Sequence, residues 1–299
     1  MDNPSSVNND YSKKLRSISI EGCPVIGSGF HAVVYKTKPD EIVKVYRPGT
    51  SLEKIDRERK LARWAFVHGL PTAITFDVVT VGDRYGVVFE LIDAVSSVEY
   101  INRSQECFDD FIAKSVKLMK EIHSIEVIDE DFPDMKQNTF KWIEEIRDLL
   151  PGEVTEKLEK MLRQIPDSHT LLHADFHIKN ILVCKGELML IDMDTLCKGD
   201  PLFELATIYN SYRQFPDIDP EAAAFIGITP ETGRKIWDKT LRLYYLEASE
   251  KELGMIGKKA QILGCIRIIN FMNRHKDHPG YETVVTRCLE DLKAFGTIS

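Results

Sequence analysis

Three side chains in the segment Leu171–Ala206 have types and spacing suited to phosphate chemistry. His173, Asp175 and Asn180 form the pattern H-x-D-x-x-x-x-N, and Asp192 follows at the end of the apolar run Leu188–Ile191. Two carboxylates and an amide carbonyl, set in loops at the ends of two short strands, can hold magnesium and supply a base. Phosphoryl transfer needs little more than that, because the protein mainly positions groups and offsets charge.

The upstream chain contains elements able to serve this segment. Residues 1–14 are polar and read as a disordered arm. Ser17–Ile20 alternates as a strand does. Gly27, Ser28 and Gly29 then stand between β-forming runs, a strand–turn–strand pattern in which glycine lets backbone approach a ligand closely. A dinucleotide-binding glycine loop opens a helix, whereas this loop leads into Val33-Val34-Tyr35 and a further strand, Ile42–Tyr46. Taken alone, it reads as a plain Gly-rich hairpin more readily than as a nucleotide loop. Lys44 shares a strand face with Ile42 and Tyr46, so it either snorkels at an edge or needs a counter-charge. A helix over Ser51–His68, capped by Thr50 or Ser51, offers Glu58 beside its apolar stripe, with Glu53 as the competitor. Strands at Ala73–Val81 and Tyr85–Ile92 complete a small lobe of five strands and one helix, ending at residue 93.

Beyond residue 93 the pattern is helical. Helices are predicted over Cys107–His123, Thr139–Leu150, Val154–Ile165, Pro201 to about Arg213, Pro230–Leu246, Glu252–Arg274 and Tyr281–Phe295. Asp200-Pro201 reads as N-cap and first helical residue. The acidic run within residues 125–138 is either a solvated loop or a wall for a cationic substrate.

Composition narrows the function classes. The chain has 299 residues, enough for two lobes with separate cores. Its net charge of -8 gives no support for a nucleic-acid partner. Six cysteines show neither C-x-x-C nor zinc-finger spacing, which fits a reducing compartment without structural disulfides. The N-terminal residues lack an apolar signal core, and no apolar run approaches the roughly 20 residues of a membrane span. A cytoplasmic protein with no membrane partner is expected.

In order, the chain presents a glycine loop, a strand lysine, a helix glutamate, a hinge, HADFHIKN and IDMD. This order resembles the protein-kinase-like superfamily, and within it the aminoglycoside phosphotransferase and choline kinase group. HADFHIKN is similar to that group's H-G-D-x-H-x-x-N. Gly199-Asp200-Pro201 with Glu204-Leu205-Ala206 is similar to its G-D-P-x-x-D-L-A. The resemblance covers about residues 20–275. It implies an α+β bilobal fold, with a small antiparallel-sheet N-lobe over residues 15–93 and a mainly helical C-lobe over residues 94–299. The C-lobe is expected to carry the catalytic loop (173–180), the metal segment (191–194) and acceptor-binding helices.

The resemblance also implies roles. ATP, with GTP open, and Mg2+ are the cofactors. Gly27, Ser28 and Gly29 cover the phosphates. Lys44 contacts them and Glu58 holds Lys44. Val34 and Ile42 pack on the nucleotide base, while Glu90 and Ile92 offer it backbone groups. Asp175 orients the acceptor hydroxyl, His173 braces the loop, and Asn180 and Asp192 hold magnesium. His177 is similar to the group's second loop histidine, or else makes a structural hydrogen bond. Asp194, Asp200 and Glu204 are the acceptor candidates. Tyr209, Tyr212, Trp237, Tyr244 and Tyr245 belong either to the acceptor pocket or to the core.

Two departures bear on function. Ala32 replaces the third loop glycine, which is tolerable unless its φ is positive. The run from Asp192 to Pro201 is too short for both an activation segment and a peptide platform. A small-molecule hydroxyl is therefore the expected acceptor. An atypical protein kinase and a nucleotide-binding module without turnover are the alternatives.

Overall fold

The structure is a computed structural model that describes residues 15–29, 31–130, 132–219, 226–278 and 280–297. The expected disordered arm, residues 1–14, lies outside the described residues. The chain divides into two compact units. One comprises the residues through Val95 together with Leu182–Asp194. The other comprises Ser96–Ile181 and Thr195 onward. The segment 191–194, expected in the helical lobe, thus belongs to the sheet unit.

The sheet unit contains β1 (Arg16–Ser17), β2 (Val25–Ser28), β3 (Ala32–Lys36), β4 (Glu41–Tyr46), α1 (Leu52–Val67), β5 (Thr75–Val81) and β6 (Arg84–Glu90). The six strands run in the order β1-β5-β6-β4-β3-β2. Five are antiparallel, but β1 pairs in parallel with β5, so the sheet is mixed rather than purely antiparallel. The strand predicted over Ser17–Ile20 is shorter than expected. Ile18 still donates its N–H to Thr80 at 2.9 Å, and the chain then turns at Gly22, where φ is +72°.

Period-two alternation gives the sheet two apolar faces. Val43, Val45, Val79, Val81 and Val88 line one face. Ala32, Tyr46, Val78 and Val87 line the other and meet Ile55 of α1. Ser51 caps α1, accepting from the Lys54 N–H at 3.3 Å. The helix buries Ile55, Glu58, Leu61, Ala62 and Ala65 toward the sheet, and Gly69 ends it at φ +82°.

A hairpin from later in the chain joins this unit. It comprises β9 (Ile181–Cys184) and β10 (Glu187–Leu190), after β7 (Val95–Ser96) and β8 (Leu171–Leu172) in chain order. Its two-residue turn, Lys185-Gly186, has φ of +52° and +85°, the left-handed pair that tight hairpins favour. The Leu190 N–H donates to Pro71 O at 2.6 Å and anchors the hairpin.

The helical unit contains α2 (Ser97–Ile101), α3 (Gln105–His123), α4 (Met135–Glu145) and α5 (Gly152–Gln164). β11 (Cys197–Lys198) and α6 (Pro201–Tyr209) follow, then a π-helical turn (Asn210–Gln214) and α7 (Phe215–Ile218). α8 (Pro230–Tyr244), α9 (Glu250–Asn273) and α10 (Tyr281–Thr297) complete it. α4 starts four residues before the predicted Thr139, because Asp134 caps it by accepting from the Gln137 N–H at 2.9 Å. It also ends early, with a short 3-10 turn over Arg147–Leu149 leading to Pro151. Part of the expected acidic loop is therefore helix. α9 is the central helix and packs against α4, α6 and α10. An added Cβ at Gly264 would overlap Asn210 Oδ1, so glycine sets the close approach of α9 to the end of α6. Among the described residues no helix is long and apolar enough to cross a membrane.

Candidate active site

In the sheet unit, Lys44 occupies the centre of β4, opposite Val34 on one side and Val87 on the other. Its face of the sheet looks toward α1, where Glu58 is buried. The Lys44 ammonium donates to Glu58 Oε1 at 2.6 Å and to Asp192 Oδ1 at 2.7 Å. Burial alone lowers a lysine pKa, but the Asp192 and Glu58 carboxylates outweigh it and raise that of Lys44. The ammonium is therefore charged at any ordinary pH. Glu53, the competing partner, lies in the exposed first turn of α1.

Asp192 has a left-handed backbone, φ +66°, and its side chain is 38% exposed. Only Oδ1 enters the pair with Lys44, so Oδ2 remains outside it. Asp194 follows in a 3-10 turn over Met193–Thr195, and its charge is felt at the Tyr46 phenol. Val34 and Ile42 are half-buried on the Lys44 face. Glu90 accepts the Ile74 N–H on its side chain at 2.8 Å and donates its own N–H to Ile74 O at 3.0 Å. Ile92 lies just past the end of β6 and is half-buried.

Gly27, Ser28 and Gly29 lie at the β2–β3 turn, with the Gly29 N–H bonded to Ala32 O at 2.9 Å. A Cβ at Gly27 would meet only ordinary contacts with Val34 at 3.6 Å, and Gly29 is similarly open. Neither glycine is required by crowding or by a positive φ. Ala32 has no positive φ either, so the loss of the third glycine is harmless to the turn. Gly86, which sequence reasoning passed over, is demanded by the fold. A Cβ there would come within 2.9 Å of Val43 Cγ2 and 3.1 Å of Lys44 O. A lone glycine inside a strand pattern is the signal that could have found it.

In the helical unit, β8 leads into the loop that carries Asp175. Ala174 takes φ +61°, a costly conformation for a residue with a Cβ. The support is Glu204 of α6, whose Oε2 accepts the N–H groups of His173 at 2.7 Å and Ala174 at 3.1 Å. Glu204 is fully buried. Burial would raise its carboxyl, yet His123, His173 and the Ala174 N–H hold it below the usual carboxylate range. Glu204 therefore supports the loop from behind and has no surface with which to meet an acceptor, which corrects that expectation.

Three further contacts fix the loop. The His173 ring is wholly buried, its carbonyl accepts from the Thr195 hydroxyl at 2.7 Å, and its Nδ1 accepts from the Asp175 N–H at 3.3 Å. The His173 ring thus has no exposed surface. The Tyr212 hydroxyl accepts the Ile178 N–H at 2.8 Å. Tyr212 and Trp237 are otherwise core residues. Tyr212 sits in the π-helical turn, and its role in the loop carried no sequence signal beyond an aromatic at helical spacing.

Asp175 is presented with a carboxylate 36% exposed. Asn180 donates its amide to Asp175 Oδ2 at 2.8 Å and to Asp175 O at 3.0 Å. His177 Nε2 lies 3.4 Å from the same Oδ2, and its Nδ1 accepts from the Lys179 N–H. Burial pushes the Asp175 carboxyl up, but His177, with Arg267 and His173 behind it, holds it well below the usual range. The group is a carboxylate throughout the neutral range. With its nitrogen donated to Asp175, the Asn180 amide keeps Oδ1 as an acceptor outside that contact.

Asp200 caps α6, accepting from the Leu202 N–H at 2.8 Å with Pro201 at the first helical position. Tyr244 and Tyr245 are half-buried in edge-to-face contact, centroids 4.8 Å apart, and burial with the Asp200 charge pushes the Tyr245 phenol up to about 12. Tyr209 packs edge-on against Trp237. Among the described residues no three His, Cys, Asp or Glu side chains gather as a metal site.

Solved structures share this fold. The aminoglycoside phosphotransferase APH(2'')-Ib, bound to ADP, is 20% identical, covering 97% of this chain and 98% of that one at a TM-score of 0.58. A choline/ethanolamine kinase family protein from Mesorhizobium loti is 14% identical, covering 92% and 88% at a TM-score of 0.59. Another APH(2'') structure, a GDP and kanamycin complex, is 12% identical, covering 93% of each chain at a TM-score of 0.58. A comparison with curated protein sequences finds no match. The family model described as the phosphotransferase enzyme family matches residues 22–235, and the chain belongs to that family.

Proposed function

We propose that the protein transfers the γ-phosphate of a magnesium-bound nucleoside triphosphate, ATP in the first instance, to a hydroxyl of a small molecule. The observation that carries this reading is Lys44, held at 2.6 Å by Glu58 and at 2.7 Å by Asp192. A charged, clamped lysine on a strand beside an open glycine turn is suited to nucleotide phosphates. Glycines that the fold itself does not require support the same reading, since a Cβ there would occupy the space above the turn. Neighbouring folds have been solved with ADP and with GDP, so GTP is the competing donor.

Asn180 and Asp192 are assigned to magnesium. One carboxylate and one amide oxygen suit an ion that keeps several waters and leans on substrate phosphates. The ion supplies charge neutralisation on the phosphates. Asp175, ionised and half-open to solvent, aligns the acceptor hydroxyl and accepts its proton. Asn180 and His177 fix the direction of that carboxylate.

The acceptor assignment rests on the run after Asp192. Thr195 is bonded to the loop, and β11 pairs with β8. The Lys198 and Gly199 N–H groups donate to Pro133 O and Thr170 O, and Asp200 caps α6. No length remains for a peptide platform, which argues against a protein acceptor. Aminoglycosides, amino sugars and choline-like alcohols are the acceptor classes to screen.

The test is a panel of such alcohols with ATP or GTP, reading acceptor-dependent release of nucleoside diphosphate, with Asp175→Asn as the blank. Release that depends on an acceptor and vanishes in the blank is expected. Release that is independent of every acceptor, or equal in the blank, sinks the proposal.

A further inference from the structure

His123, the last residue of α3, has no part in the chemistry assigned so far. Its side chain is 4% exposed. Its Nδ1 is 2.7 Å from the Tyr244 hydroxyl on α8. Its Nε2 is buried without a hydrogen-bond partner among the described residues. That nitrogen stands 3.8 Å from Glu204 Oε2, the oxygen that accepts both His173 and Ala174 N–H groups.

A carboxylate removed from water needs its charge offset on every side. Glu204 is faced by the two loop N–H groups, by the Thr207 hydroxyl at 3.3 Å from Oε1, by the His173 ring and by the Cys197 thiol. From α3 it is faced by His123. A tyrosine hydroxyl that donates to Nδ1 leaves the ring proton on Nε2, pointed at the carboxylate. The unpaired nitrogen and the buried charge thus complement each other.

We infer that His123 is a positioning residue of the catalytic loop: aimed by Tyr244, its Nε2–H steadies Glu204, which holds Ala174 in the left-handed turn that presents Asp175. The inference rests on the phosphotransfer reading only in giving Asp175 its task. The link runs from a half-buried tyrosine on α8, through α3 and α6, to the loop backbone. A packing role alone predicts that any residue of similar volume serves. The positioning role requires a donor at the place of Nε2.

The full-length protein carries the test. His123→Leu removes both ring nitrogens, whereas His123→Gln keeps a donor near Nε2. Amide hydrogen exchange over residues 171–176, read by mass spectrometry, reports the loop without any turnover. His123→Leu is expected to speed exchange there by about tenfold or more, the scale on which a buried carboxylate loses one neighbour that offsets its charge. His123→Gln restores most of the protection. Tyr244→Phe, which removes only the hydroxyl, gives a smaller acceleration in the same direction and serves if His123→Leu does not fold. Phe108→Leu, a core change on the same helix, lowers the Tm without loosening 171–176. With an active acceptor, kcat falls in His123→Leu while the nucleotide KM holds. Parent-like exchange in His123→Leu, or a His123→Gln protein as loose as His123→Leu, overturns the inference. So does an equal acceleration in Phe108→Leu. A parent that phosphorylates no acceptor defeats the phosphotransfer reading instead, and the exchange comparison still decides His123.

Discussion

Lys44 and Asp175 are both charged groups set in partly buried surroundings, and they are held by different kinds of partner. Lys44 is fixed by two carboxylates, one 14 residues away in sequence and one 148 away. Asp175 is fixed through its backbone: Glu204, Thr195 and Tyr212 all grip main-chain atoms of the loop. The lysine arrangement joins one long cationic side chain to two carboxylates. The aspartate arrangement fixes a strained turn at Ala174 and sets the carboxylate direction before any ligand arrives. An ion that gathers charge needs neutral balance, whereas a base that aligns a hydroxyl needs geometry.

The largest effect that tests this contrast is expected at Asp175 itself. Asp175→Ala removes the positioned base and should lower kcat by about 10²–10⁴-fold, with the nucleotide KM little changed. Steady-state kinetics with any acceptor found in the screen reads it. An equal loss in KM and kcat would mean that Asp175 works mainly in binding. Next comes Glu58→Gln. It removes a charge-assisted bond to Lys44 and leaves Asp192 as the only carboxylate on the ammonium. The expected loss is about 10–100-fold in kcat/KM for the nucleotide, the scale of one such bond at 1.5–3 kcal/mol. If the nucleotide terms are unchanged while acceptor KM rises, Lys44 does not serve the donor.

These two regions were unequally legible in the sequence. Lys44 and Glu58 stood out because a charged residue on an apolar strand face and a glutamate near an apolar helix stripe are local anomalies. The H-x-D-x-x-x-x-N spacing was equally plain. Glu204 was visible but misassigned, because its burial depends on α3, β8 and β11 closing around α6. Tyr212 and His123 carry no local signal, since their partners lie 34 and 121 residues away. The start of α4 escapes the helical pattern because Asp134 sits among several acids, and only its contact with the Gln137 N–H marks it as a cap. Residues that hold a backbone from a distance obey no periodicity, and only the folded contacts reveal them.

Acidification separates the regions further. Glu204 and Asp175 both have lowered carboxyl pKa values in the folded state. Their stabilisation is complete above the unfolded carboxylate value of about 4 and is lost as pH falls through the folded values. Lys44 has a raised pKa, so its contribution is complete below about 10.4 and is lost only as pH rises through the folded value. Below about pH 4 the thermal midpoint should therefore fall, with Glu204 and Asp175 contributing to the loss. Glu204→Gln is expected to start lower at pH 7 and to show a shallower acid slope. An acid slope equal to the parent's would mean that Glu204 is not the group titrating there.

Two tyrosines give the smallest effects and the sharpest contrast. Tyr212 and Tyr46 are both almost fully buried. The Tyr212 hydroxyl accepts the Ile178 N–H, so Tyr212→Phe strands a buried donor in the loop, at about 1–3 kcal/mol. Among the described residues, the Tyr46 hydroxyl makes no hydrogen bond of acceptable geometry. Burial, then the nearby Glu58 charge, pushes its phenol pKa upward, and Lys44 Nζ sits 5.6 Å from its ring centroid. Tyr46→Phe keeps that ring under the ammonium and removes only an unpaired polar atom. Its expected effect on unfolding free energy is within about 0.5 kcal/mol, with either sign. Denaturant titrations of the two variants compare them directly. A Tyr46→Phe loss as large as that of Tyr212→Phe would mean that the hydroxyl completes the Lys44 cluster, and that the sheet unit also depends on a fixed hydrogen bond. Near neutrality at Tyr46 beside a clear loss at Tyr212 would leave charge as the restraint at Lys44 and hydrogen-bond geometry as the restraint at Asp175.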